Sequence, residues 1–287
     1  MSKVLVIGAH PDEADMYAGG TAALLARAGH AVKFVSLTNG DAGHFTMEPV
    51  PLARRRAREA VRAAEALGVL EYEILDVHDG ELEPSVEMRR KVIELIREWR
   101  ADVIVALHGE GPGHPDNRAA GRLVADAVAF CTTPNVAPGR PALEREPLCL
   151  LMVDYAAPGF HRHDVAVDVD PVIDRKVDAC AAHASQFFEY SPAARGLAGL
   201  VPAEDAVEER RAFVLAHWEE FMIAGDDMRP ALARRYGDAH AERVRHAETF
   251  QLAGYGRAVP DEELPLLLDV FGDGLTAGLP EPSVGIA

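Results

Sequence analysis

Short β-branched runs alternate with longer stretches that carry apolar residues at helical spacing over the first two-thirds of the chain, and few folds accept that alternation. Residues 4–7, 32–37, 72–75, 103–107 and 148–153 read as strands, with 165–169 as a weaker sixth. Between them Ala57, Ala60, Val61, Ala64 and Leu67 mark one helix face. Met88, Val92, Leu95, Ile96 and Trp99 mark a second, and Leu123, Val124, Ala127 and Val128 a third. Apolar strands this short, joined by crossover-length helices, predict an α/β fold: a Rossmann-like, mostly parallel sheet with helices on both faces. Ligands of such sheets bind beyond the carboxyl ends of the strands. From Ser191 the sequence turns charged and helical, so residues 1–190 are expected to form the sheet domain. Residues 191–287 are then expected to form a helical C-terminal extension packed on that domain or on a neighbouring subunit, which leaves a homo-oligomer open. Its end, residues 272–287, is rich in Gly and Pro and reads as extended.

Charge narrows the partners. The chain has 29 basic and 46 acidic residues among 287, a net charge of −17, so approach to a phosphate backbone or an anionic bilayer is repulsive. Neither nucleic acid nor membrane is an expected partner. Apolar runs such as 148–153 fall far short of the ~20 residues that span a bilayer, and Met1-Ser2-Lys3 leads straight into a strand. Cys131, Cys149 and Cys180 form no CxxC pair and read as reduced core thiols of a cytoplasmic protein.

Two loops carry the chemistry. The turn after the first strand, Gly8-Ala9-His10-Pro11-Asp12-Glu13-Ala14-Asp15, lacks the GxGxxG of a dinucleotide site and offers an imidazole and three carboxylates within six residues. That density suits a divalent metal beside a general base; the alternative is a solvated acidic turn with Asp12 capping the next helix. The second loop, His108-Gly109-Glu110-Gly111-Pro112-Gly113-His114-Pro115-Asp116-Asn117, also follows a strand and opens a helix. There Asp116 or Asn117 could equally be an N-cap.

Together the two segments resemble the PIG-L/LmbE-like family of zinc-dependent N-acetylglucosaminyl deacetylases, whose signature is Ala-His-Pro-Asp-Asp after the first strand and His-Pro-Asp-His after the fourth. This chain has Ala9-His10-Pro11-Asp12-Glu13 and His114-Pro115-Asp116-Asn117. The likeness runs over residues 3–190 and includes Gly19-Gly20-Thr21, Leu37-Thr38-Asn39-Gly40-Asp41, Arg56 with Glu59, and His183 with Ser185-Gln186. The resemblance implies metal ligands at His10, Glu13 and Asn117 and a general base at Asp12. It implies a histidine facing the tetrahedral oxygen at His114, and substrate-binding residues at Arg56 and Asp41.

Two of those ligand positions depart from the family. Glu13 adds one methylene to an aspartate, and Asn117 replaces a histidine by a hard, neutral amide oxygen, which weakens zinc or favours another divalent ion. His44 and His108 are candidate substitutes, and Asp15 is either a support for the site or a solvated carboxylate. The implied activity is zinc-assisted removal of an acetyl group from an N-acetylated amino sugar or related small conjugate. The competing function is a carbohydrate-binding or regulatory relative that has lost tight metal binding.

Overall fold

A computed structural model describes residues 1–154 and 158–258. Seven strands form one sheet in the order β3-β2-β1-β4-β5-β7-β6. They are β1 (Lys3–Gly8), β2 (Ala31–Ser36), β3 (Glu71–Ile74), β4 (Val103–Ala106), β5 (Leu148–Met152), β6 (Val165–Asp168) and β7 (Ala247–Leu252). β1 to β5 pair in parallel, whereas β7 runs antiparallel to both β5 and β6. The helices α1 (Glu13–Arg27), α2 (Pro49–Leu67) and α5 (Ile173–Ala182) pack on one another, as do α3 (Val86–Trp99) and α4 (Pro115–Val128). The expected α/β fold is thus the observed one, with the chain order reversing between β1 and β4. Loops leaving these two strands diverge there, and the crevice between them is where such sheets take ligands.

Local chemistry sets the helix ends. Ser85 caps α3 by accepting the Met88 N–H at 3.2 Å, Pro49 and Pro115 open α2 and α4, and Gly68 (φ 77°) closes α2 in a conformation that costs glycine nothing. One expected face is rotated. Val61 is 52% exposed, because the side of α2 turned inward carries Arg56 and Glu59 together with Ala60, Ala63, Ala64 and Leu67. Apolar periodicity cannot register a buried face that is part ionic.

The segment expected to be wholly helical also departs from expectation. It supplies α6 (Ser191–Ala194), α7 (Val207–His217), α8 (Arg229–Tyr236) and α9 (Asp238–Ala241), but then inserts β7 between β5 and β6. Phe213, Trp218 and Met222 pack on Phe187, Phe188 and Val177, so the extension rests on α5. Glu248 of β7 hides the strand from a compositional reading because a charged residue sits at its buried centre. Its carboxylate pairs with Lys176 at 2.7 Å and accepts the N–H groups of Gly20 and Thr21 at 2.8 and 2.7 Å. Gly20 is required for this approach: a Cβ there would lie 2.7 Å from Val169 Cγ1. The three cysteines are free and buried. Among the described residues, no helix is long and apolar enough to cross a membrane. The expected extended end, 272–287, lies outside the described residues.

Candidate active site and metal centre

The first loop is folded by its own carboxylate. Glu13 Oε2 accepts the N–H of Ala9 at 2.6 Å and of His10 at 3.0 Å, while Oε1 lies 3.3 Å from His10 Nδ1. Thr38 Oγ1 and Ser36 Oγ both donate to the Ala9 carbonyl, at 2.8 and 3.0 Å, and so tie the turn to the end of β2. Asp12 stands at the N-cap position of α1 but makes no side-chain cap bond, so capping does not explain it. Its φ of 152° is strained for a residue with a Cβ, and strain of this kind gathers at functional sites. Arg56, 2% exposed, reaches across from α2 to donate to the Pro11 and Gly40 carbonyls at 2.9 and 3.0 Å, and its Nη2 meets Asp12 Oδ2 at 3.2 Å.

The second loop faces the first. His114, not Asp116 or Asn117, is the N-cap of α4, its Nδ1 accepting the Asp116 N–H at 3.3 Å. Its ring stands edge-on to that of His10 with centroids 4.7 Å apart. Asp116 accepts from Gly80 N–H at 2.7 Å and Leu82 N–H at 3.3 Å, drawing in a third loop, from β3, that carries Asp79. His10 Nε2 then lies 3.1 Å from Asp79 Oδ1 and 3.4 Å from Asp116 Oδ2. One ligand atom from each of His10, Asp79 and His114 falls within 4.8 Å of the others, a group able to hold a metal ion.

The remaining expected residues are placed as follows. Asn117 is buried; its Nδ2 donates to Asp154 Oδ2 at 3.1 Å and its Oδ1 has no hydrogen-bond partner. Asp41 meets His78 Nδ1 at 2.7 Å and accepts the Asp79 N–H at 3.1 Å, so it braces the third loop. Asp15 is fully buried and paired to His183 at 2.9 Å, which removes the solvated alternative. His44 and His108 are engaged elsewhere, His44 with Glu189 and His108 with His161, both at 3.0 Å. Asp79 and Asp116 went unassigned in the sequence. The signal available for Asp79 was the polar His78-Asp79-Gly80 triplet beyond the third strand, the same position in the βα unit as the two loops that were recognised.

His10, Asp12, Glu13, Arg56, Asp79 and His114 open together onto a cavity of about 390 Å³, which Gln186 and Tyr190 also line. Burial pushes the Asp12 carboxyl up to about 6 against the opposing pull of Arg56. Burial works against a charge on His10, yet Glu13, Asp116 and Asp79 together hold its pKa well above the ordinary value. The pocket thus carries an excess of negative charge that retains a proton.

The family model described as PIG-L, GlcNAc-PI de-N-acetylase, matches residues 5–128. A diacetylchitobiose deacetylase of Thermococcus kodakarensis is 34% identical over 193 residues, 66% of this chain and 72% of the relative. The chain belongs to the PIG-L family. Among solved structures, the N,N'-diacetylchitobiose deacetylase from Pyrococcus horikoshii overlays with a TM-score of 0.66 at 26% identity, covering 88% of this chain and 84% of the other. GalB, a 4-carboxy-2-hydroxymuconate hydratase from Pseudomonas putida, overlays at 0.69 with 20% identity, covering 91% and 99%, and shares the fold. Both signature segments of the PIG-L family lie inside the matched span, and in this chain both open onto one cavity.

Proposed function

We propose that this protein is a metal-dependent N-deacetylase that hydrolyses the acetamide of an N-acetylated amino sugar. The observation that carries the reading is Asp12: a buried carboxylate with a pKa of about 6, at the wall of a cavity ringed by metal-binding groups, is matched to taking a proton from water near neutrality. Relatives that release acetyl groups from diacetylchitobiose by name support the bond type.

The donor set fits a divalent cation. Oε1 of Glu13 lies 3.3 Å from His10 Nδ1, and two ligand atoms of a tetrahedral zinc shell sit about 3.3 Å apart. Oδ1 of Asn117 is buried and without a hydrogen-bond partner. On the other side of the ring, Asp79 and Asp116 face Nε2, as carboxylates that orient a ligating histidine do. On the family pattern His10, Glu13 and Asn117 would hold the ion, with zinc the first candidate and a harder divalent ion favoured by the amide oxygen. When bound, the metal lowers the pKa of water and polarises the acetyl carbonyl. Asp12 accepts the proton released as the water oxygen bonds to the carbonyl carbon, and Arg56 keeps that carboxylate at the cavity wall. His114, edge-on to His10 in the cavity, supports the tetrahedral oxygen. The carbon–nitrogen bond then breaks as the proton held by Asp12 passes to the nitrogen, and acetate and a free amine leave. The three free thiols support a cytoplasmic setting.

Acetate release from N-acetylglucosamine and N,N'-diacetylchitobiose tests the reading. Asp12→Asn should lower the rate at least ~100-fold, the usual scale for a general base. Undiminished turnover in that variant would remove Asp12 from the mechanism, and no acetate from any acetylated sugar would end the deacetylase reading.

A further inference from the structure

An apolar ring sits in water at the mouth of this cavity. Phe45 is 64% exposed, on the loop that follows β2, and it stacks against Tyr190 with ring centroids 4.9 Å apart and planes inclined by 34°. A single exposed apolar side chain is ordinary. This one is different because its surroundings fix it and because its partner lines the cavity that holds His10, Asp12 and His114.

The fixing is extensive. His44 Nδ1 accepts the N–H groups of Thr46 and Met47 at 3.2 and 3.0 Å, so the backbone that follows Phe45 is wound about its neighbour's ring. His44 Nε2 meets Glu189 at 3.0 Å, and Arg55 donates to the same carboxylate at 2.9 Å. Gln186 Nε2 donates to the Gly43 carbonyl at 3.0 Å. Gln186, Glu189 and Tyr190 all lie on one π-helical turn, Ser185–Tyr190, a rare geometry that recurs at functional sites. That turn sends Gln186 and Tyr190 to the cavity and Glu189 to the Phe45 loop. An aromatic pair is thereby held at the cavity, with most of Phe45 open to solvent.

We propose that Phe45 and Tyr190 form the subsite for a second, neutral pyranose ring of the substrate, next to the N-acetylated ring that enters the cavity. The inference rests on the deacetylase reading for the role of the cavity and extends it to substrate length. A pyranose presents an apolar face of C–H groups and a polar rim, which matches a flat aromatic surface bordered by hydrogen-bonding groups. Charge favours a neutral ring over an anionic appendage, since the net charge of −17 opposes a second negative group.

Phe45 is exposed and touches none of the reacting groups, so Phe45→Ala is expected to fold normally. Calorimetric titration of N,N'-diacetylchitobiose and of N-acetylglucosamine into wild type and variant, each carrying Asp12→Asn so that hydrolysis is suppressed, reads the subsite by binding alone. We expect Phe45→Ala to weaken the disaccharide about five- to ten-fold, the range of one aromatic contact, and to leave the monosaccharide unchanged. Phe45→Trp should retain the preference. In acetate release, KM for the disaccharide should rise by the same factor at constant kcat. Equal disaccharide affinity in wild type and Phe45→Ala would overturn the subsite, as would a wild type that binds the disaccharide no more tightly than the monosaccharide. Failure of the deacetylase reading looks different: Phe45-dependent disaccharide binding would persist while no acetate appears.

Discussion

His10 has carboxylates at both ring nitrogens, and the two sides make different demands on a metal. Glu13 approaches Nδ1, whereas Asp79 and Asp116 approach Nε2. With the ion on the Nδ1 side, Glu13→Gln replaces an anionic donor by a neutral one and should lower zinc affinity by at least ~10-fold, as ~1.4 kcal/mol suffices for that factor. Asp79→Asn changes only what lies beyond the far nitrogen and should keep stoichiometric metal. Titration of the metal-free variants with zinc, read by calorimetry alongside mass-spectrometric metal content, distinguishes the sides. The reverse pattern, metal lost from Asp79→Asn and kept in Glu13→Gln, would move the ion to the group formed by His10, Asp79 and His114.

β7 joins two parts of the fold through charge as well as through the apolar packing of Ala247 and Phe250. Lys176 is 0% exposed and its ammonium also donates to the Phe221 carbonyl at 2.6 Å, so the α5 to β7 contact is a buried, hydrogen-bonded ion pair. Removing one partner of such a pair strands the other without solvent. Glu248→Ala should therefore cost roughly 3–5 kcal/mol in urea unfolding, since it also leaves the Gly20 and Thr21 N–H groups without their acceptor. Lys176→Met combined with Glu248→Gln should recover part of that loss, because no uncompensated charge remains. A Glu248→Ala variant within about 1 kcal/mol of the parent would show that this contact does not hold the strand in the sheet.

Acid stability of the whole molecule bears on a histidine cluster behind the second loop. His161 is 7% exposed, within hydrogen-bonding distance of His108 at 3.0 Å and of Thr249 at 3.4 Å, with His163 beside it at 5.3 Å between ring centroids. Burial first, and then the positive character of His108, His163 and Arg162, push its pKa from 6.5 down to about 3. The folded state thus binds this proton less readily than the unfolded chain does. Its contribution to stability is complete above pH 6.5 and is lost as the pH falls from 6.5 toward 3. The slope is roughly 1 kcal/mol per pH unit. Melting temperatures at pH 7.5 and 5 should separate less in His161→Gln than in the parent. An unchanged separation would mean that His161 is not the group whose protonation destabilises the fold.

How much of this was legible follows from the range of each interaction. The first six strands, the helices between them and the mostly parallel sheet came from hydrophobic spacing, because apolar burial acts on whole faces and repeats along the chain. The placement of His10, Asp12 and His114 at one end of the sheet was also legible, since each lies in a loop that follows a strand and so has a fixed place relative to the sheet. Tertiary structure alone decided the rest. Glu248 reads as surface until Lys176, 72 residues away, takes its charge. Arg56 and Glu59 turn α2 away from its apolar register because Asp12 and Ser185 wait for them across the fold. Asp79 reaches His10 only after Asp116 has drawn in its loop, and Phe45 meets Tyr190 only through Glu189. Hydrogen bonds and ion pairs are directional and short, so their partners are fixed by where the folded chain brings them and not by sequence spacing.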